Sequence, residues 1–158
     1  HPEKTRLIEY GRTQGPRNGG GGGKPPTFDF LGFTHYWGKS RKGTLVVKRK
    51  TARRRFARSL KRVAQWCKRH RHKLIADQQR FLSAVLLGHY AYFGLTGNGR
   101  ALGTYHHQLV RVWHYWLRRR SQRRSLNWAR FARLLERFPL PPPKVVHSIY
   151  RHAANPCA

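Results

Sequence analysis

Acidic residues are nearly missing from this sequence: five Asp and Glu stand against 34 Lys and Arg in 158 residues, a formal charge of +29 with the ten histidines neutral. A two-metal or acid–base site needs carboxylates placed close together. Glu3, Glu9, Asp29, Asp77 and Glu136 are the whole set, and no two stand at i,i+3 or i,i+4 spacing. That argues against a self-contained phosphoryl- or nucleotidyl-transfer site, so no catalytic residue is assigned. Long apolar runs are missing too. No stretch approaches the 18 or more residues that span a bilayer, which excludes integral insertion and points to a partner other than a membrane. Cysteine is scarce: Cys67 and Cys157 lie far apart with no C-x-x-C pair, which fits a reducing compartment and no structural zinc. His70-x-His72 and His106-His107 do not complete a four-ligand set, so neither a metal nor another cofactor is expected. The chain starts at His1, contains no methionine and has no apolar run near its N-terminus. The expectation is a piece of a longer chain without a secretory leader.

Large rings are present in quantity. Aromatics make up 13% and apolar residues 39% of the chain, enough to build a core and too many for a disordered basic tail. Residues 3–10 have the length of one short strand. From Gly11 to Thr27, seven glycines and three prolines make a loop or linker. Phe28–Phe33 alternates rings with small or polar residues, Thr44–Lys48 is β-prone, and Gly38–Gly43 between them is turn-rich, predicting one two-stranded hairpin.

The remainder has helical periodicity. Phe56, Leu60, Val63 and Cys67 recur every three or four residues, with Cys67 read as a small core residue. A second helix starts near Asp77, carries Phe81, Leu82, Val85, Leu86, His89, Tyr90 and Phe93 on a broad face, and stops at Gly94. A third runs from about Arg100 to Arg120 with Leu102, Tyr105, Leu109, Val112, Trp113 and Trp116 inside. A fourth begins with Asn127 as N-cap, buries Trp128, Phe131, Leu134 and Leu135, and ends at the prolines from Pro139 onward. The fold class is mainly α: a bundle of three to four helices preceded by a short β-hairpin region.

Basic clusters carry the functional signal. Arg53, Arg54, Arg55, Arg58 and Lys61 lead the first helix; Lys68, Arg69 and Arg71 end it; Arg118, Arg119, Arg120, Arg123 and Arg124 end the third. Solvated helix faces mix signs, and these runs contain no acid. Guanidinium groups suit phosphate oxygens bidentately, so the expected partner is a polyanion, RNA first. Rings at helical spacing, Trp66, Trp113, Trp116 and Trp128 among them, read as core; Tyr36 and Trp37 beside the basic turn are the pair expected to be exposed for base stacking.

Several segments together resemble the C-terminal part of a group II intron reverse transcriptase/maturase. They are Phe28-Asp29-Phe30-Leu31-Gly32-Phe33-Thr34 with Lys39-Ser40-Arg41-Lys42-Gly43; Gly88-His89-Tyr90 followed by Tyr92-Phe93-Gly94; Trp116 through Arg124; and Phe138-Pro139-Leu140-Pro141 with His147-Ser148-Ile149-Tyr150. The likeness runs from about Pro2 to Tyr150. It implies that residues 1–49, including Pro2-Glu3-Lys4-Thr5 and the loop 11–27, correspond to the end of the polymerase palm. Residues 50–150 would be the helical thumb, or maturase domain X, and 151–158 a tail. In that family the thumb helices bind intron RNA and grip the template–primer duplex, here through A-form shape and backbone. The Tyr-x-Asp-Asp metal site and the fingers are not in this sequence, so the resemblance implies no polymerisation by this piece alone. It also implies a setting in the bacterial cytoplasm, or in an organelle. Two alternatives remain: a non-catalytic subunit that joins a separate fingers–palm chain in a split reverse transcriptase, and a generic basic protein that coats RNA.

Overall fold

The computed structural model describes residues 27–40, 42–121 and 126–148. The strand expected over 3–10, the glycine-rich loop apart from Thr27, and the tail 151–158 lie outside the described residues. The chain divides into two units, one ending at Ala52 and the other beginning at Arg53.

The first unit is a three-stranded antiparallel meander: β1 (Phe28–Phe30), β2 (Phe33–Lys39) and β3 (Leu45–Thr51), in that order across the sheet. The expected single hairpin is therefore corrected. Phe28–Phe33 is not one strand; it folds back on itself at Leu31 and Gly32, whose φ angles are 48° and 81°. Positive φ at both central positions gives the primed turn that matches strand twist, yet leucine is among the residues least suited to it. The segment therefore reads as unbroken alternation. The second connection, from Ser40 to Thr44, forms where the turn chemistry predicts it: the Ser40 N–H donates to the Thr44 carbonyl (2.8 Å), and Gly43 supplies φ 79°. Leu31 is exposed, so Leu31→Asn removes strain without removing packing. Its expected effect is a gain of about 1 kcal/mol in hairpin stability, read by amide exchange in β1 and β2; a loss would mean that the leucine side chain contributes more than its backbone costs.

The second unit contains α1 (Arg53–Arg69), α2 (Ile75–Phe93), α3 (Gly99–Arg118) and α4 (Trp128–Arg137). Each boundary lies within about two residues of the sequence expectation, and the coarse class, mainly α, holds. Asn127 caps α4 as predicted, its side-chain oxygen accepting from the Arg130 N–H at 2.9 Å. Val63, Cys67, Leu82, Leu86, Tyr90, Leu102, Tyr105, Leu109, Trp113, Leu117 and Phe131 form the buried core. Burial pushes the Cys67 thiol up to about 12, so it stays protonated as an inert core group. Two ring placements depart from expectation. Phe81 lies at the surface, stacked on Trp66 at 3.8 Å, and Trp128 is 54% exposed instead of buried. Helical spacing brought Trp128 to the α3-facing side of α4, but it is the first residue of the helix, and among the described residues one ring face finds a stacked neighbour.

α1 and α3 run side by side in the same direction. Ser59 and Tyr105 share a hydrogen bond at 2.6 Å, Lys68 stands over Trp116, and further along Arg120 reaches the His72 carbonyl. After α4 the proline-rich chain continues extended along α2. Prolines cannot donate, and the segment is held accordingly through its carbonyls: Gln79 donates to the Pro139 oxygen and the Tyr90 hydroxyl to that of Pro141. At the far end, the N–H groups of Val146 and His147 both donate to the Gly94 carbonyl at 2.8 Å.

His89 in α2 is buried, with its ring stacked flat on Tyr105 at 3.7 Å and its Nε2 without a hydrogen-bond partner. Burial lowers its pKa from 6.5 to about 4. The unfolded chain therefore takes up this proton before the folded one, and the stability present above pH 6.5 is lost as pH falls toward 4. Unfolding free energy is expected to drop by about 2 kcal/mol between pH 6.5 and 5, and His89→Gln should flatten that slope in denaturant titrations. An unchanged slope in the variant would assign the acid sensitivity to another group.

Candidate nucleic-acid interface

The first helix separates its residue types by side. At 100° per residue, Arg54, Arg58, Lys61, Arg62, Lys68 and Arg69 fall within about 120° of arc, opposite the stripe of Phe56, Leu60, Val63 and Cys67 that faces the core. All six cations are exposed, as are Arg53 and Arg55. From Arg53 to Arg69 the row extends about 24 Å at 1.5 Å per residue. Among the described residues the one ion pair is Arg80 with Asp77 at 3.6 Å, so no described carboxylate neutralises this row. The first turn of α1 holds no acid. Three arginines there sit against the positive end of the helix dipole, an arrangement that a bound anion would relieve.

The two basic runs that flank the 70s and the 120s, 48 residues apart, meet in space. Arg71 donates from Nη1 to the Lys68 carbonyl (3.2 Å) and from Nε to His72 Nε2 (3.0 Å). Arg120 donates from Nη2 to the His72 carbonyl (3.3 Å), and the Lys68 ammonium lies 5.9 Å from the centre of the Trp116 ring. One positive cluster results, holding Lys68, Arg69, Arg71, Lys73, Arg118, Arg119 and Arg120. Arg119 stacks on Tyr115 at 3.6 Å, which fixes its plane. Arg123 and Arg124, also expected to contact phosphate, lie outside the described residues, as does Arg41.

Sequence reading missed two further features. Arg100, Thr104, His107, Arg111, Tyr115 and Arg118 are exposed at successive spacings of three and four along α3. Arg100 and Arg111 stand alone in sequence, so a search for runs passes over them; helical periodicity applied to polar positions would have found both. The other is Gln78, which is 1% exposed. Its Oε1 accepts from Trp113 Nε1 at 3.0 Å, while its Nε2 donates to the carbonyls of Lys73 (2.9 Å) and Arg71 (3.3 Å). A single amide thus ties the basic turn after α1 to the core. Its only sequence signal is a polar residue on an apolar stripe.

Tyr36 and Trp37, expected to form an exposed pair, do not act together. Successive strand residues point to opposite sides of the sheet, and both rings are half-buried. Tyr36 lies opposite Lys48 with the Lys50 ammonium 5.2 Å from its ring centre, whereas Trp37 lies opposite Val47 on the other face. Tyr36 keeps a cationic neighbourhood within the sheet unit.

The described acids serve local ends. Asp29 accepts a hydrogen bond from the Thr34 hydroxyl, Asp77 pairs with Arg80, and Glu136 is exposed on α4. Among the described residues no group of three or more His, Cys, Asp or Glu is arranged to hold a metal ion, and no helix is long and apolar enough to cross a membrane. The arrangement can neutralise a row of phosphates and hold a rigid polyanion by shape. No protein-family model, curated protein or solved structure matches the chain.

Proposed function

We propose that this chain is an RNA-binding module, the thumb and maturase portion of a group II intron reverse transcriptase. It binds structured intron RNA to assist splicing and, joined to a fingers–palm part in the bacterial cytoplasm or an organelle, grips the template–primer duplex. The observation that carries the reading is the basic row of α1, unpaired among the described residues, together with the cluster joined by Arg120 and the His72 carbonyl. Such a surface binds a polyphosphate through its backbone, with little base-edge readout, as A-form RNA requires. The motif resemblance supplies the intron and the polymerase.

Two measurements test the reading. If about six cations neutralise phosphates on single-stranded RNA, the logarithm of the binding constant falls against that of salt with a slope near −0.7 × 6, about −4; a slope close to zero overturns polyanion binding. Competition between folded intron RNA and an equal mass of unrelated duplex tests the intron assignment, and equal affinity for the two favours a general RNA-coating protein.

A further inference from the structure

Trp128 is the largest ring in the helical unit that packing leaves open. Its indole is 54% exposed. One face is backed by His114, with ring centres 4.0 Å apart and planes 29° from parallel, and Phe131 meets its edge at 5.7 Å. The second face carries no ring contact among the described residues. The backing is rigid: His114 is buried, and its Nε2–H donates to the Leu126 carbonyl at 2.8 Å, which fixes both tautomer and ring plane. The caps at Asn127 hold the indole at the start of α4. On α3, Arg111 and Arg118 stand three residues before and four after His114, on neighbouring turns of the same side, and both are exposed.

An open aromatic face, held from behind and flanked by guanidinium groups, has the form of a stacking platform: the ring takes a base and the cations take the phosphates on either side of it. We propose that Trp128 stacks an unpaired base of bound RNA, so that the module reads a junction between duplex and single strand as well as a duplex. The inference rests on the RNA-binding reading above.

The test compares the affinity of the full chain, at one salt concentration, for three RNAs: a blunt duplex, the same duplex with a short adenine tail, and the same duplex with an abasic tail of equal length. The abasic tail matches the phosphates of the adenine tail and lacks its bases. The expected result is a preference for the adenine over the abasic tail of about 5- to 150-fold, the range that stacking one base supplies. Trp128→Ala abolishes the preference, Trp128→Phe retains most of it, and affinity for the blunt duplex is unchanged in both variants. Equal binding of the two tails by the native chain, or an intact preference in Trp128→Ala, overturns the platform while leaving RNA binding in place. An equal loss on all three RNAs in Trp128→Ala also overturns it, because the residue would then support the fold rather than a base. Failure of the native chain to bind even the blunt duplex overturns the RNA-binding reading itself.

Discussion

Replacing Arg54, Arg58, Lys61 and Lys68 together by glutamine is expected to weaken binding to a single-stranded RNA by about 600-fold at ~0.1 M salt and to flatten the salt slope by about 3. The four lie on one side of α1, exposed and, among the described residues, without a carboxylate partner. Their removal therefore takes phosphate contacts from the interface and almost nothing from the core. Each contact on RNA releases about 0.7 of a counterion, so four shift the logarithm of the binding constant by about 2.8 for every tenfold change in salt. Measured against a ~1 M reference, where the electrostatic part vanishes, that shift is the stated loss at ~0.1 M. Glutamine keeps helix propensity near that of Lys and Arg, so thermal stability should hold or rise slightly as self-repulsion is relieved. The same number of substitutions at positions off this row, Lys42, Lys144, Arg130 and Arg133, provides the control for net charge. If both quadruple variants lose affinity equally, charge alone and not the α1 row carries binding.

Much of the helical unit was legible because its sequence is consistent at several levels at once. Apolar spacing, the Asn127 cap, the Gly94 stop and the proline run all mark the same boundaries, and the structure follows them to within about two residues. The sheet was less legible because one local rule is broken: Leu31 occupies a left-handed position that glycine or asparagine would advertise, and the third strand disappears into an apparent alternation. The interface was legible as composition and only partly as geometry. Runs of arginine announce themselves, but the meeting of the Lys68 and Arg118 clusters depends on α1 and α3 lying side by side in the same sense, a tertiary fact no local pattern contains. Trp128 shows the opposite error. Its spacing is that of a core residue, and only its place at the first turn of α4 leaves a ring face uncovered.

Gln78→Leu is expected to cost about 3–4 kcal/mol of stability and to disorganise the basic turn in the same step. Leucine fills the site on the apolar side, but it removes an acceptor from Trp113 Nε1 and a donor from the carbonyls of Lys73 and Arg71. Trp113 is fully buried, so its N–H has no water to turn to, and an orphaned buried group costs about 1–3 kcal/mol. Gln78→Glu tests the same amide from its charge: one carboxylate oxygen still accepts from the indole, but the other, in the place of Nε2, faces two carbonyls and the group must be buried ionised or protonated, so a comparable loss is expected that is larger at neutral than at acid pH. With the turn released, Arg71, His72 and Lys73 no longer stand in one arrangement with Arg120. Below its melting temperature the leucine variant should therefore show faster tryptic cleavage after Arg69, Arg71 and Lys73, and an RNA salt slope shallower by about 1–2, while α2 and α3 retain their amide protection. A variant that melts early yet keeps the native tryptic pattern and salt slope would place Gln78 in the core alone, and the basic turn would owe its position to Arg120 and the backbone.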